Sequence, residues 1–181
     1  MKKTATISLI ISFIFLELGS YAIAANAPMT DQAKARRDKL FKLTAKTVNA
    51  APIEELPHVW GVIMETAHPE TVITVYVSPG NANIYFGAGG KNTGAGKKEN
   101  VKKAEGKLLL TGENVRNQFK PAKDFPLPKI GQARFYLFTY SGILTAEANE
   151  KKLQERKHPL WPLYVAVDDV ITEIRIVTKG R

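Results

Sequence analysis

The spacing of hydrophobic residues predicts a chain in which strands and helices come in blocks. Three short segments (59–65, 72–77 and 83–87) are dense in Val, Ile, Tyr and Phe, and Ala-His-Pro and Ser-Pro-Gly-Asn sequences separate them. β-Branched and aromatic residues favour strands, whereas Pro, Gly and Asn favour tight turns. We therefore expect these three segments to form an antiparallel meander.

Residues 97–119 instead repeat their hydrophobic positions at helical spacing. Val101, Ala104, Leu108, Val115 and Phe119 lie three, four, seven and four residues apart, which predicts a helix with one buried face. A proline-punctuated connection follows, and two more strands are expected at 133–140 and 143–148, joined through Ser-Gly.

Helices are also expected at both ends of the domain. The first runs from Thr30 or Asp31 to about residue 50, and its thin hydrophobic stripe predicts a position on the outside of the fold. Its other faces carry basic residues, namely Lys34, Arg36, Arg37, Lys39, Lys42 and Lys46. The last stretch, 163–177, favours a helix, and its β-branched residues leave a strand over 170–176 as the alternative.

The resulting order, α-β-β-β-α-β-β-α, predicts an α+β fold with a single five-stranded antiparallel sheet and helices packed on it. Residues 25–56 are expected to form a basic helix and linker, and 57–181 the α+β domain. The element order resembles the profilin-like folds, which include the roadblock modules, although roadblock modules place two strands, not three, before the central helix. The resemblance implies a binding or dimerisation platform rather than a catalyst.

The first residues predict export. Met1, Lys2 and Lys3 precede an apolar run at 7–18 and then the small residues of 22–25, which is the pattern of a secretory signal peptide. We expect a signal peptide over 1–24, with cleavage after Ala24. The apolar run of about 12 residues is short of the roughly 20 that a membrane-spanning helix needs. An uncleaved anchor is the alternative. The mature chain is then periplasmic or secreted, without a stable membrane span.

The composition shows an excess of basic residues and excludes any site that needs cysteine. The 181 residues include 26 Lys and Arg against 17 Asp and Glu, a formal charge of +9, and no cysteine. Disulfides, thiolate metal sites and cysteine nucleophiles are therefore excluded. The basic balance is typical of a solubilising surface; as a binding surface it favours a protein partner or an anionic envelope component. Nucleic acid is not an expected partner, because the basic clusters follow no nucleic-acid-binding motif; a homodimer is a further arrangement that the sequence allows.

The most unusual segment is the glycine-rich run at 87–96, which leads into the central helix. Backbone N–H groups at a helix start, together with lysines, bind anions, but the run fits neither the P-loop pattern nor the dinucleotide-binding pattern. A tightly turning connector is the plain alternative. Trp161 is a candidate anchor for a partner, with burial in the core as its alternative. The candidate ligand-binding or partner-binding residues are Gly89, Gly90, Lys91, Gly94, Gly96, Lys97, Lys98, Lys102, Lys103 and Trp161.

No catalytic residue, metal ligand or cofactor is predicted. His58, His68 and His158 each adjoin a proline and lack helical metal-ligand spacing. Asp168 and Asp169 are neighbours, so on a helix they point about 100° apart. The sequence thus favours an exported, soluble, non-enzymatic binding or interaction module with a basic surface. The alternatives are a sensor or carrier of a small anionic ligand at 87–96 and the following helix N-terminus, or a cofactor-free hydrolase.

Overall fold

The computed structural model describes residues 28–179, so the expected signal peptide at 1–24 lies outside the described residues. The helices are α1 (Asp31–Phe41), α2 (Glu99–Asn114), α3 (Glu150–Gln154) and α4 (Trp161–Lys179). The strands are β1 (Val59–His68), β2 (Thr71–Ser78), β3 (Asn81–Phe86), β4 (Lys91–Asn92), β5 (Lys120–Pro121), β6 (Gln132–Thr139) and β7 (Gly142–Asn149).

All strands belong to one antiparallel sheet in the order β4-β3-β2-β1-β6-β7-β5. The predicted α+β fold with a single antiparallel sheet and packed helices is confirmed. The predicted strand number is wrong, because the sheet has seven strands and not five. The two additional strands, β4 and β5, have only two residues each and lie at opposite edges, and two residues are too few for a hydrophobic period.

The centre of the sheet is buried on both faces. β1 pairs with β2 and β6, so Ile63 lies between Tyr76 and Tyr136. Each of these three side chains is at most 3% exposed. Because β1 and β6 are covered on both sides, their side chains are apolar on successive positions instead of alternating.

Helices α2 and α4 pack on one face of this sheet. Gly112 lets α2 approach closely, since a Cβ at this position would lie 3.2 Å from Leu137 and 3.4 Å from Val62. The last stretch is a helix, as predicted, and the alternative strand over 170–176 is wrong. Within residues 28–179, no helix is both long and apolar enough to cross a bilayer.

Helix α1 and the segment after it cover the opposite, aromatic face. The Phe41 ring stacks on Phe125 with centroids 4.3 Å apart and meets Tyr136 edge-on at 4.8 Å. The first helix ends at Phe41 and not near residue 50. Thr44 and Thr47 exchange side-chain-to-backbone hydrogen bonds just beyond it, which competes with helix continuation.

Arg37, one of the basic residues outside the hydrophobic stripe of this helix, is turned toward the sheet. Its guanidinium donates from Nε and Nη2 to the two carboxylate oxygens of Glu65, at 2.6 and 2.7 Å, and from Nη2 to the Phe125 carbonyl at 2.8 Å. The Arg37 side chain is 11% exposed and that of Glu65 is fully buried. A buried carboxylate on the sheet requires a cation opposite it, and this requirement was not visible in the helix's own periodicity.

Candidate functional site

The glycine-rich segment forms a turn, an edge strand and a helix entry. Gly89, Gly90 and Gly94 have φ values of 117°, 91° and 77°, which side chains other than glycine rarely tolerate. Lys91 lies on β4 between these turns and pairs with Tyr85. The segment thus closes one edge of the sheet before the chain enters α2.

Gly96 fixes the position of this helix entry. A Cβ at Gly96 would lie 2.6 Å from the carbonyl oxygen of Gly80 and 3.0 Å from the Ala82 nitrogen. Ala95 and Gly96 are buried, so the entry packs directly on the backbone of the β2–β3 turn. Only glycine permits this approach without moving the backbone of the turn.

Several backbone N–H groups in and beside the glycine-rich segment donate hydrogen bonds to other groups of the protein. The Gly87 N–H donates to the Val72 carbonyl at 2.7 Å, that of Ala88 to Thr71 Oγ1 at 2.9 Å and that of Gly89 to the Phe86 carbonyl at 3.1 Å. The Lys98 N–H donates to the Ala95 carbonyl at 2.9 Å. These amides stabilise the turns, which leaves the lysine side chains as the groups that face outward.

Lys97, Lys98 and Lys102 form what we call the lysine corner. All three side chains are exposed, and within residues 28–179 none of them forms a salt bridge. The Lys102 N–H donates to the Lys98 carbonyl, so these two residues occupy one side of α2 a single turn apart. Lys97 adjoins Gly96 and therefore lies beside the β2–β3 turn.

The other two predicted lysines have different neighbours. Lys91 shares a sheet face with Tyr85, whose ring is approached by Arg36 at 5.4 Å, so it belongs to the surface near α1. Lys103 lines a groove of about 380 Å³ between α2 and α4 that also contains Asp169 and Glu173.

Trp161 is not among the residues that line this groove. Lys107 of α2 contacts Asp169 of α4 at 2.6 Å, whereas Trp161 begins α4 eight residues earlier, roughly 12 Å along the helix axis at 1.5 Å per residue. The indole is partly buried and Arg156 lies over it at 5.6 Å.

Glu105 is a buried carboxylate that the sequence did not single out. Its Oε1 accepts a hydrogen bond from the Gly80 N–H at 2.6 Å, while Oε2 is buried without a hydrogen-bond partner. Burial raises the pKa of Glu105 to about 7, against the opposing effects of the Gly80 hydrogen bond and of Lys102. A carboxyl beneath the lysine corner thus titrates near neutral pH.

A second polar cluster lines a cavity of about 50 Å³ between α4 and the sheet. Thr66 Oγ1 lies 3.2 Å from His68 Nε2, and the lining also includes Glu150, Asp168 and Arg175. Burial raises the pKa of Glu150, and the nearby His68 opposes this shift. Burial also raises the pKa of Asp168; the neighbouring charge of Asp169 adds to the increase, and Arg175 opposes it. A cavity of this size holds a few water molecules rather than an organic substrate.

Of this cluster, only His68 and Asp168 were singled out from the sequence, and separately, because the residues come from separate elements. Thr66 and His68 are two positions apart on β1, which places them on one face, and this spacing was the one local signal available. Glu150 begins α3, and Asp168 and Arg175 lie on α4. Among residues 28–179, no three His, Asp or Glu side chains are grouped so as to hold a metal ion.

Comparison with known proteins adds no relative. No protein-family model matches the sequence, and no curated protein or solved structure matches it significantly. The interpretation of the site therefore rests on the geometry of this chain alone.

Proposed function

We propose that this chain is an exported, soluble, non-enzymatic binding module that holds an acidic protein surface or an anionic envelope component at the lysine corner. The observation that carries the proposal is the corner itself: three exposed ammonium groups, unpaired within the described chain, at a point where the backbone is tightly packed. Three other exposed lysines, Lys34, Lys107 and Lys157, have a carboxylate partner, so the corner differs from them in charge balance; it differs from the remaining exposed lysines, such as Lys123, in the packed backbone beneath it.

The packing beneath the corner supports a binding role. Gly96 lies against Gly80, and Glu105 ties the same turn to α2 through the Gly80 N–H. The backbone that carries Lys97 and Lys98 is therefore held in place, so this segment loses less conformational freedom when a partner binds than a loose loop would. Long-range attraction from a chain of formal charge +9 adds to the rate of association.

The fold proposed for this role is the profilin-like one, which implies a platform for partners. The element order and the single antiparallel sheet with helices on both faces support it. The N-terminal pattern of basic, apolar and small residues supports export, which gives the corner access to anionic lipids and acidic proteins of the envelope.

Site-specific photocrosslinking tests the proposal in cells that export the chain. A photoreactive residue replaces Lys98 in one variant and Lys123, an exposed lysine of the proline-rich connection, in the control. We expect an adduct to a protein or an anionic envelope component at position 98, and its loss when Lys97 and Lys102 are changed to Glu. Equal adducts at both positions would contradict the proposal.

A second candidate function is a sensor or carrier of a small anionic ligand at the start of α2. The observation that favours it is that no side chain caps this helix at Lys98, and uncapped N–H groups attract anions. A thermal-shift panel of sugar phosphates, nucleotides and polyanions separates the two functions. One small ligand that raises the midpoint by more than about 4 °C, with loss in Lys97→Ala, would favour the sensor.

A further inference from the structure

The sheet has a gap along one edge, at the opposite side from the glycine-rich segment. β5 pairs with β7 only through Lys120 with Thr145 and Pro121 with Leu144. The N–H groups of Gln118 and Phe119 donate instead to Val115 and Arg116, so the chain leaves the edge in a turn before it reaches Glu147. A groove of about 520 Å³ takes the place of the missing strand.

The backbone of β7 presents unpaired groups to this groove. The Ala122 N–H donates to the Ile143 carbonyl at 2.9 Å, which shows that Ile143 directs its backbone groups away from β6. Alternation in an antiparallel strand gives Thr145 and Glu147 the same outward direction. β5 pairs with Thr145, but no strand within residues 28–179 pairs with the outward N–H and C=O of Glu147.

Cationic and orphaned polar groups lie at the closed end of the gap. Lys120 pairs with Thr145 and Arg134 with Glu147, so these four side chains share one face of the sheet. The Arg134 guanidinium contacts Glu147 through Nη2, but its Nε is buried without a hydrogen-bond partner. Thr145 Oγ1 is also buried and unpartnered, on a residue that is only 7% exposed.

We propose that this gap binds the C-terminal segment of a partner polypeptide as an additional strand on β7. A strand antiparallel to β7 runs from the level of Asn149 toward β5 and meets the start of β5 at Lys120. β5 therefore closes the gap at the end that the C-terminus of the partner segment reaches. A terminal carboxylate there accepts the unused Nε–H of Arg134 and lies beside Lys120 and the Thr145 hydroxyl.

Charge favours this occupant over a second copy of the chain. Two cations, Lys120 and Arg134, meet one carboxylate, Glu147, so the gap has a net positive charge that one carboxylate neutralises. Pairing of β7 with β7 of a second copy about Glu147 would set two Glu147 side chains opposite each other, which is destabilising.

A peptide selection tests the proposal on the purified chain. The probe is a pool of randomised heptapeptides with a free C-terminal carboxylate, mixed with the same pool in amidated form and identified by mass spectrometry after capture. We expect free-acid peptides to be enriched about tenfold over amides, the effect of one charge-assisted hydrogen bond. Equal capture of both forms, or no capture, would overturn the proposal.

Two matched pairs of variants locate the binding. Lys120→Gln lowers capture of the free acids, whereas Lys123→Gln, at a nearby exposed lysine, leaves it unchanged. Glu147→Pro removes the outward N–H and abolishes capture, whereas Glu147→Gln keeps that N–H and retains it. Should Glu147→Pro fail to fold, hydrogen exchange of the Glu147 amide in the unaltered chain decides: the selected peptide slows this exchange, and an unchanged rate refutes strand addition.

Discussion

The pair formed by Arg37 and Glu65 joins α1 to the sheet. Glu65 is fully buried and accepts two hydrogen bonds from Arg37 and one from Thr74 Oγ1 at 3.1 Å. Removal of one partner leaves a buried charge without compensation, which is far more costly than loss of an exposed ion pair.

We predict that Arg37→Met lowers the free energy of unfolding by about 3–5 kcal/mol. The control Arg36→Met removes the neighbouring, half-buried guanidinium, which lies over the Tyr85 ring and pairs with no buried carboxylate, and costs less, about 1 kcal/mol. Urea unfolding of the two variants measures the difference. Addition of Glu65→Gln to Arg37→Met recovers part of the loss, because no buried charge is left unpaired. Equal costs for the two arginine variants would contradict this account.

Glu105 makes stability depend on pH. Its native pKa of about 7 exceeds the ordinary value of 4.5, so the folded chain retains a proton that the unfolded chain has lost. The free energy of unfolding therefore falls as pH rises from about 4.5 to about 7 and is level above that. The loss is on the order of 3 kcal/mol, at roughly 1.4 kcal/mol per pKa unit.

Glu105→Gln isolates this effect, since the amide oxygen still accepts the Gly80 N–H but does not ionise. We expect the variant to match the unaltered chain at pH 5 and to be more stable at pH 8, as measured by urea unfolding at both values. Stability curves that run parallel across this range would refute the assignment.

At the scale of elements, the glycines of the chain have opposite roles. Gly96→Ala places a Cβ within 2.6 Å of the Gly80 backbone, which does not move aside cheaply, and we expect a loss of about 1–3 kcal/mol or more. Gly106→Ala, inside α2 with no atom within 4 Å of the new Cβ, gains up to about 1 kcal/mol from helix propensity. Thermal unfolding compares them, and a neutral Gly96→Ala would show that the helix entry is not tightly packed.

The long elements were predictable because each has a local signal of its own. Helices α2 and α4 follow from hydrophobic positions at helical spacing, and the meander, β6 and β7 follow from runs of β-branched and aromatic residues bounded by turn sequences. The short strands β4 and β5 were not, since backbone pairing with β3 and β7 creates them rather than their own side chains. The early end of α1 likewise depends on local Thr44 and Thr47 hydrogen bonds that compete with the helix.

At the scale of the whole molecule, the sequence indicated the lysine corner but not its surroundings. Lys97, Lys98 and Lys102 were predicted from their position after the glycine-rich run, whereas Glu105 beneath them was not, because its burial depends on the β2–β3 turn. The cavity with His68, Glu150 and Asp168 gathers residues from β1, α3 and α4, and no local pattern records that meeting.

The two proposed binding surfaces lie at different edges of the sheet, with the lysine corner near the β4 edge and the strand gap at the β7 edge. The central claim is that the position of the corner, and not total charge, holds the anionic partner. Two triple variants of equal net charge distinguish an effect of the corner's position from an effect of total charge. One changes Lys97, Lys98 and Lys102 to Glu; the other changes the exposed Lys123, Lys129 and Lys151 to Glu.

The most direct measurement is the yield of the complex between this chain and its anionic partner. Each triple variant is chemically crosslinked in the envelope of exporting cells, which needs no photoreactive residue at position 98, and the complex is then isolated by affinity capture. The account predicts that the corner variant loses the complex by at least tenfold while the control variant keeps most of it. Equal loss in both variants would show that net charge alone drives binding, and full retention by the corner variant would contradict the proposed site.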